Sequence, residues 1–257
     1  MNIWKILCQK HLWLLLPLLL ITTKLQAQEK EMLAEMWLME PKAGMSQAFE
    51  KGLKEHIEHR QKLGDPRSWQ VYTPVLGDKL NQYLVRSCCF EWKDMDSYQQ
   101  WTQDKKPLQH WNKHVDDKVA HYGHYLSTID MANSHWPAEA KANFVGVTYF
   151  KIKPGHWREV KEAVKVISDV AKTHKWPYHW SWSTSVGGEP AMHLAIPYEN
   201  YAMMAPPEQK FNELMVKHLG SEDKAKAFWQ AWSAHFDMTE YNIYRHNTSL
   251  SMAKKQM

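Results

Sequence analysis

Two sets of residues carry the chemistry this sequence could perform. The first lies along two strand-like segments. Trp180, Trp182, Thr184 and Val186 alternate with His179, Ser181, Ser183 and Ser185, and Trp69, Val71, Thr73 and Val75 alternate with Ser68, Gln70, Tyr72 and Pro74. In an extended chain successive side chains point to opposite faces, so each segment presents one apolar, Trp-bearing face and one polar face. The Trp face either fills a core or walls a pocket for a flat apolar or aromatic ligand, Trp being a large anchor with a single N–H to satisfy. In the pocket reading Trp69, Trp180 and Trp182 form the wall, and Tyr72, His179 and His193 are the nearest polar groups. An imidazole titrating near neutrality could then act as acid or base.

The second set is His110, His114, Asp117 and His121, spaced by four, three and four. On one helix continuing through residue 121 they would share a stripe. Imidazoles one turn apart, with a carboxylate beyond, suit a divalent metal. Leu108, Trp111, Val115 and Val119 run alongside as an apolar stripe, so the histidine row equally serves as a solvated flank, and no metal is expected. Motifs for nucleotide binding, zinc peptidases, dithiol redox chemistry and serine hydrolases are absent from the sequence.

The elements that position these residues come in two copies. Gly44 and Gly155 each follow a Pro-containing turn, 111 residues apart, and the same offset pairs Phe49 with Val160, Leu53 with Val164, Trp69 with Trp180 and Gly77 with Gly188. Continued past the turn, it pairs Tyr83 with Leu194 and Val85 with Ile196. Each copy reads as strand (33–40; 144–153), helix, two strands joined by a glycine turn (69–75 and 80–92; 179–186 and 191–198), a helical region (95–119; 199–234) and a closing strand near Tyr122–Ile129 or Tyr241–Tyr244. Ser46 is the expected cap of the first helix. The β-α-β-β-α-β order, twice, predicts an α+β fold of two tandem ferredoxin-like halves, 28–132 and 143–250, with a linker over 133–142 and a tail over 251–257. A sheet with helices on one face leaves the other face bare, and two copies in one chain can cover each other.

Tandem units of this kind, each with a short helical segment after its third strand (Asp94-Met95-Asp96-Ser97-Tyr98 and Glu199-Asn200-Tyr201-Ala202-Met203-Met204), resemble the dimeric α/β-barrel superfamily. The similarity is to its NIPSNAP-like, EthD-like and antibiotic-biosynthesis-monooxygenase-like members. The resemblance implies an intramolecular barrel and a small apolar or aromatic ligand between a sheet and its helices, with haem as the alternative in some branches. Three functions follow: a binder without turnover, a cofactor-independent oxygenase or isomerase using a His or Tyr, or a structural module whose tryptophans only fill the barrel.

The first 27 residues read as a secretory signal peptide: Lys5 and Lys10, an apolar run from His11 to Ile21, and Ala27 at the exit. An exported protein, periplasmic or secreted, is expected. Removing Lys5, Lys10 and Lys24 from 32 basic residues leaves 29 against 28 acidic. A near-neutral chain without Lys/Arg clusters is a poor ligand for nucleic acid or, once the signal is cleaved, for a membrane surface. Both sheets being present in one chain, a monomer or a homodimer is expected. Cys88 and Cys89 are adjacent, and strand alternation argues against a bond between them.

Overall fold

A computed structural model describes residues 31–77, 79–187 and 191–253; the expected signal peptide lies outside them. The chain runs β1 (Met32–Pro41), α1 (Ser46–Lys62), β2 (Trp69–Pro74), β3 (Tyr83–Phe90), α2 (Lys93–Lys105), α3 (Pro107–His114), a 3-10 turn (Asp116–Lys118) and β4 (Val119–His135). It continues β5 (Phe144–Ile152), α4 (Trp157–Thr173), β6 (Trp180–Ser185), β7 (Ala191–Tyr198), a second 3-10 turn (Tyr201–Met204), α5 (Phe211–Leu219), α6 (Glu222–Ala234) and β8 (Phe236–His246). The eight strands close into one antiparallel barrel in the order β1-β3-β2-β8-β5-β7-β6-β4. Each half is a ferredoxin-like sheet, and the β2–β8 and β4–β6 pairings join the two. Closure uses both edges of both sheets, so among the described strands none is left free to pair outward.

Helices cover the outside. The stripe Phe49, Leu53 and Ile57 of α1 is buried against Trp69, Val71 and Val85, and Val160, Val164 and Ala171 of α4 against Trp180, Trp182 and Phe236. Each such side chain contributes about 1.5–3 kcal/mol by leaving water. Gly52 lets α1 meet the end of α3: a Cβ there would stand 2.4 Å from the His114 carbonyl oxygen.

Several expectations are corrected. Met45, not Ser46, occupies the cap position of α1, and no side-chain cap bond forms there. The first helical region is two helices, because Lys106 turns left-handed (φ 49) before Pro107 opens α3. The closing strands are longer than predicted. β4 continues through the expected linker to His135, where Trp182 N–H donates to Ser134 Oγ (2.9 Å) and Trp180 Nε1–H donates to the Asn133 carbonyl (2.7 Å). The segment's small polar residues suggest a loop, yet they bond to β6 across an irregularity in the ladder, which resumes where His135 pairs with Trp180.

At the other end of the chain, Leu250 and Met252 are buried with Trp69, so the start of the expected tail is packed. The repeat offset of 111 holds through β2 and β6 but drops to 109 in the next strands. Trp37 pairs with Val85, and its counterpart Thr148 pairs with Leu194, so Val85 matches Leu194 rather than Ile196. Cys88 and Cys89 are bonded to each other; alternation along a regular strand is a poor guide at this pair.

Candidate functional site

The tryptophans of the expected pocket wall are packed core. Trp69, Trp180 and Trp182 are 5%, 6% and 2% exposed. Trp69 Nε1–H donates to Asp65 (3.0 Å) and Trp182 Nε1–H to Ser168 Oγ (3.0 Å). Phe150 and Trp232 close on Trp182 with ring centroids 6.2 and 6.1 Å away. The sheet–helix interface these rings occupy is filled by the protein itself.

The histidine row does not assemble either. His110 and His114 lie on α3 with rings stacked at 4.2 Å, but the helix ends at His114. Asp117 belongs to the 3-10 turn and is bound by Lys118 (2.6 Å). His121 lies in β4 opposite Glu40. Among the described residues no three His, Cys, Asp or Glu side chains are grouped to hold a metal. His110 instead stacks on His59 (4.3 Å) and approaches His56 (Nδ1···Nδ1 3.4 Å), a contact between α3 and α1.

The opposite face of every strand points into the barrel. Cross-strand pairs fix this: Tyr72 lies opposite Leu84 and His246, Arg86 opposite Gln70 and Met36, His193 opposite Ser183 and Tyr149, and Tyr149 opposite Glu240. The lumen therefore carries polar side chains among apolar ones such as Leu84, Val147 and Ala195. Tyr149 and Tyr244 share a hydroxyl–hydroxyl contact of 3.1 Å, and His193 meets the edge of Tyr149 with centroids 4.9 Å apart and Ser183 Oγ at 3.4 Å. His246 bonds Gln70 (3.0 Å) beside the Tyr72 ring. Of the sequence-predicted polar groups, Tyr72 and His193 fall in this lumen. His179 precedes β6, its ring 5.3 Å from His135 and its Nδ1 buried without a partner among the described residues.

Enclosure sets the electrostatics. Burial raises the Tyr149 phenol well above its ordinary value, with Tyr244 and Glu240 adding to the effect. Burial also raises Tyr244 and Tyr72 and lowers His193 to about 4. The lumen at neutral pH thus holds protonated tyrosines and a neutral imidazole. It also holds one guanidinium, Arg86, which burial depresses but which stays charged.

Arg86, Tyr72, Tyr149 and His193 are surrounded by protein, yet each keeps surface that water can reach. Side chains lining an internal space have this property. Tyr125 lies close enough to Tyr149 to influence it electrostatically and is 52% exposed, so this part of the barrel borders the protein surface. An eight-stranded barrel is wide enough to be filled by side chains or to hold one small ligand. The groove between α5 and α6 beside Trp229, about 850 Å³, is by contrast open surface.

Arg86, Tyr149, Tyr244 and Glu240 were not singled out from sequence. Their signal was the alternation itself: Leu84, Arg86 and Cys88 occupy the positions between the core-facing Tyr83, Val85 and Ser87. Barrel closure turns that second face from a solvated surface into a lining.

The closed antiparallel barrel with helices outside is the dimeric α/β-barrel fold, completed here within a single chain. Solved structures bear this out. A monooxygenase candidate from Fusobacterium nucleatum is similar over 85% of this chain and 93% of its own, with 10% identity and a TM-score of 0.52. A second monooxygenase candidate, from Lactobacillus acidophilus, matches over 86% and 95% with 9% identity and a TM-score of 0.52. A mutant chlorite dismutase from Candidatus Nitrospira defluvii matches over 84% and 92% with 7% identity and a TM-score of 0.52. At such identities the likeness is one of fold alone. No protein-family model and no curated protein sequence matches the chain.

Proposed function

We propose that the protein binds one small, flat molecule inside the barrel lumen and does not transform it. One observation carries this reading: polar side chains enclosed by protein that still border water-reachable space. The sequence-based reading of a small apolar or aromatic ligand is kept, but its place moves from the Trp face to the opposite face of the same strands. Tyrosine rings supply flat walls and hydroxyl donors orient the guest. Haem, the alternative drawn from the family resemblance, would need the sheet–helix space that the tryptophans occupy.

Binding is favoured over acid–base catalysis because the lumen shifts that enclosure produces run away from neutrality. His193 is held at about 4 and the tyrosines are pushed up, whereas a general base works best with a pKa near the operating pH. We also propose that the protein acts outside the cytoplasm, as the N-terminal segment suggests; N-terminal sequencing of the exported protein is expected to start near Gln28.

A plug tests the site. Ser183→Phe, and separately Ala195→Leu, place bulk in the lumen while leaving the helix-facing Trp180 and Trp182 untouched. Saturable binding of flat aromatic compounds, followed by calorimetry, is expected in the wild type and lost in both folded variants. Binding that survives both plugs refutes the lumen site, and no saturable binding at all favours a structural module.

A further inference from the structure

Resting on the lumen reading, we infer that the ligand is an anion, a small planar carboxylate or comparable oxyanion, whose charge is taken up by Arg86.

Arg86 projects from β3 into the lumen between Gln70 on one side and Met36 on the other, with Tyr125 opposite Met36 on the next strand. No described residue makes an ion pair or hydrogen bond with it; the only neighbour that perturbs it electrostatically is Tyr72. A guanidinium enclosed by protein with no counter-charge is costly, and such groups are ordinarily paired. The described residues offer it no partner. Glu240, the carboxylate beside Tyr149, is engaged by Asn242 (2.7 Å) and is not among the groups that perturb Arg86. Lumen tyrosines held protonated and His193 held neutral add no negative charge of their own beside the Glu240 carboxylate. The guanidinium fork matches a carboxylate in two parallel hydrogen bonds, with the Tyr72 hydroxyl available as a further donor.

Matched pairs isolate the charge: benzoate against benzamide, and 2-naphthoate against 2-naphthamide, each titrated by calorimetry into wild type, Arg86→Met and Ser183→Phe. The acids are expected to bind wild type at least about tenfold more tightly than the amides, a neutral–charged difference typical of a desolvated bidentate pair. Arg86→Met should bring that ratio to about one, Arg86→Lys should keep part of it, and Ser183→Phe should abolish binding of all four. Acids and amides binding the lumen equally, or a ratio that survives Arg86→Met, overturns the anion while leaving the lumen site standing. Binding unaffected by Ser183→Phe, or absent throughout, overturns the lumen site and the anion with it. A ligand-free measurement stands beside these. Removing an unpartnered, largely enclosed cation should raise the midpoint of thermal unfolding of Arg86→Met by a few degrees. A fall of that size would assign Arg86 a structural counter-ion and refute the inference.

Discussion

Trp182→Ala should separate a core tryptophan from a pocket tryptophan by stability alone. Trp182 is 2% exposed, donates its indole N–H to the buried Ser168 hydroxyl, and is flanked by Phe150 and Trp232. Truncating a buried Trp to Ala costs about 3–5 kcal/mol in lost transfer energy and cavity formation. Leaving the Ser168 hydroxyl without its partner adds about 1 kcal/mol or more. The sum, about 4–6 kcal/mol, approaches the whole stability of a marginal domain, about 5–15 kcal/mol. Trp182→Phe is the graded companion: it keeps most of the ring contact, loses the bond, and should cost about 1–2 kcal/mol. Urea unfolding followed by far-UV circular dichroism measures both, with the exposed Trp92→Ala, at 46% exposure, expected within about 0.5 kcal/mol of wild type. A loss below about 1 kcal/mol for Trp182→Ala would mean that the ring lines open space, and would refute the assignment of the sheet–helix interface as closed.

Gly52→Ala should lower the unfolding midpoint by several degrees, since the new methyl meets the His114 backbone at 2.4 Å and must push α3 off α1; differential scanning calorimetry reads this, and an unchanged midpoint would show the contact to be loose. Glu35→Gln strips the carboxylate from the buried Arg67, which is otherwise sandwiched between Phe90 (3.9 Å) and Tyr98 (3.8 Å), and from His124 (2.7 Å). It should cost about 3–5 kcal/mol in urea unfolding, most of it recovered in Glu35→Gln/Arg67→Met. His56 is lowered to about 3 from 6.5, chiefly by burial and then by Arg60 and its histidine neighbours. A base whose folded value is depressed loses stability as pH falls through its unfolded value, because only the unfolded chain takes the proton. Between pH 7 and 5 this amounts to about 2 kcal/mol. His56→Gln should remove that slope, and equal slopes in urea titrations of both proteins would contradict the burial argument.

The duplicated fold was legible because its determinants are local and repeated. Phe49, Leu53, Val160 and Val164 mark the helices, and alternation at Trp69–Val75 and Trp180–Val186 marks the strands. The boundaries were harder to read where tertiary contacts decide them. Asn133 and Ser134 look like a loop until Trp180 and Trp182 of β6 bond to them, and His121 looks helical until β1 draws it into β4. The candidate site was half legible. Tyr72 and His193 stood out as polar residues on Trp-bearing sheets, but which face encloses a space depends on closure between the halves, which no single strand encodes. Arg86 carried no local signal of its own; an arginine on the non-core face of a strand reads as solvated until the other sheet covers it.

Joining both halves in one chain has a consequence for the charge inside the barrel. By strand register, Arg86 on β3 corresponds to Ala195 on β7, Tyr72 on β2 to Ser183 on β6, and Leu38 on β1 to Tyr149 on β5. A barrel built from two identical subunits would present each of these twice across its axis, placing two guanidiniums inside one lumen. Like charges repel, which would count against an arginine at the position. Duplication removes the twofold constraint, so one half can supply the cation while the other supplies the Tyr149–His193 wall. The interior acquires a direction, and a guest with one charged end and one flat end would enter it in a single orientation.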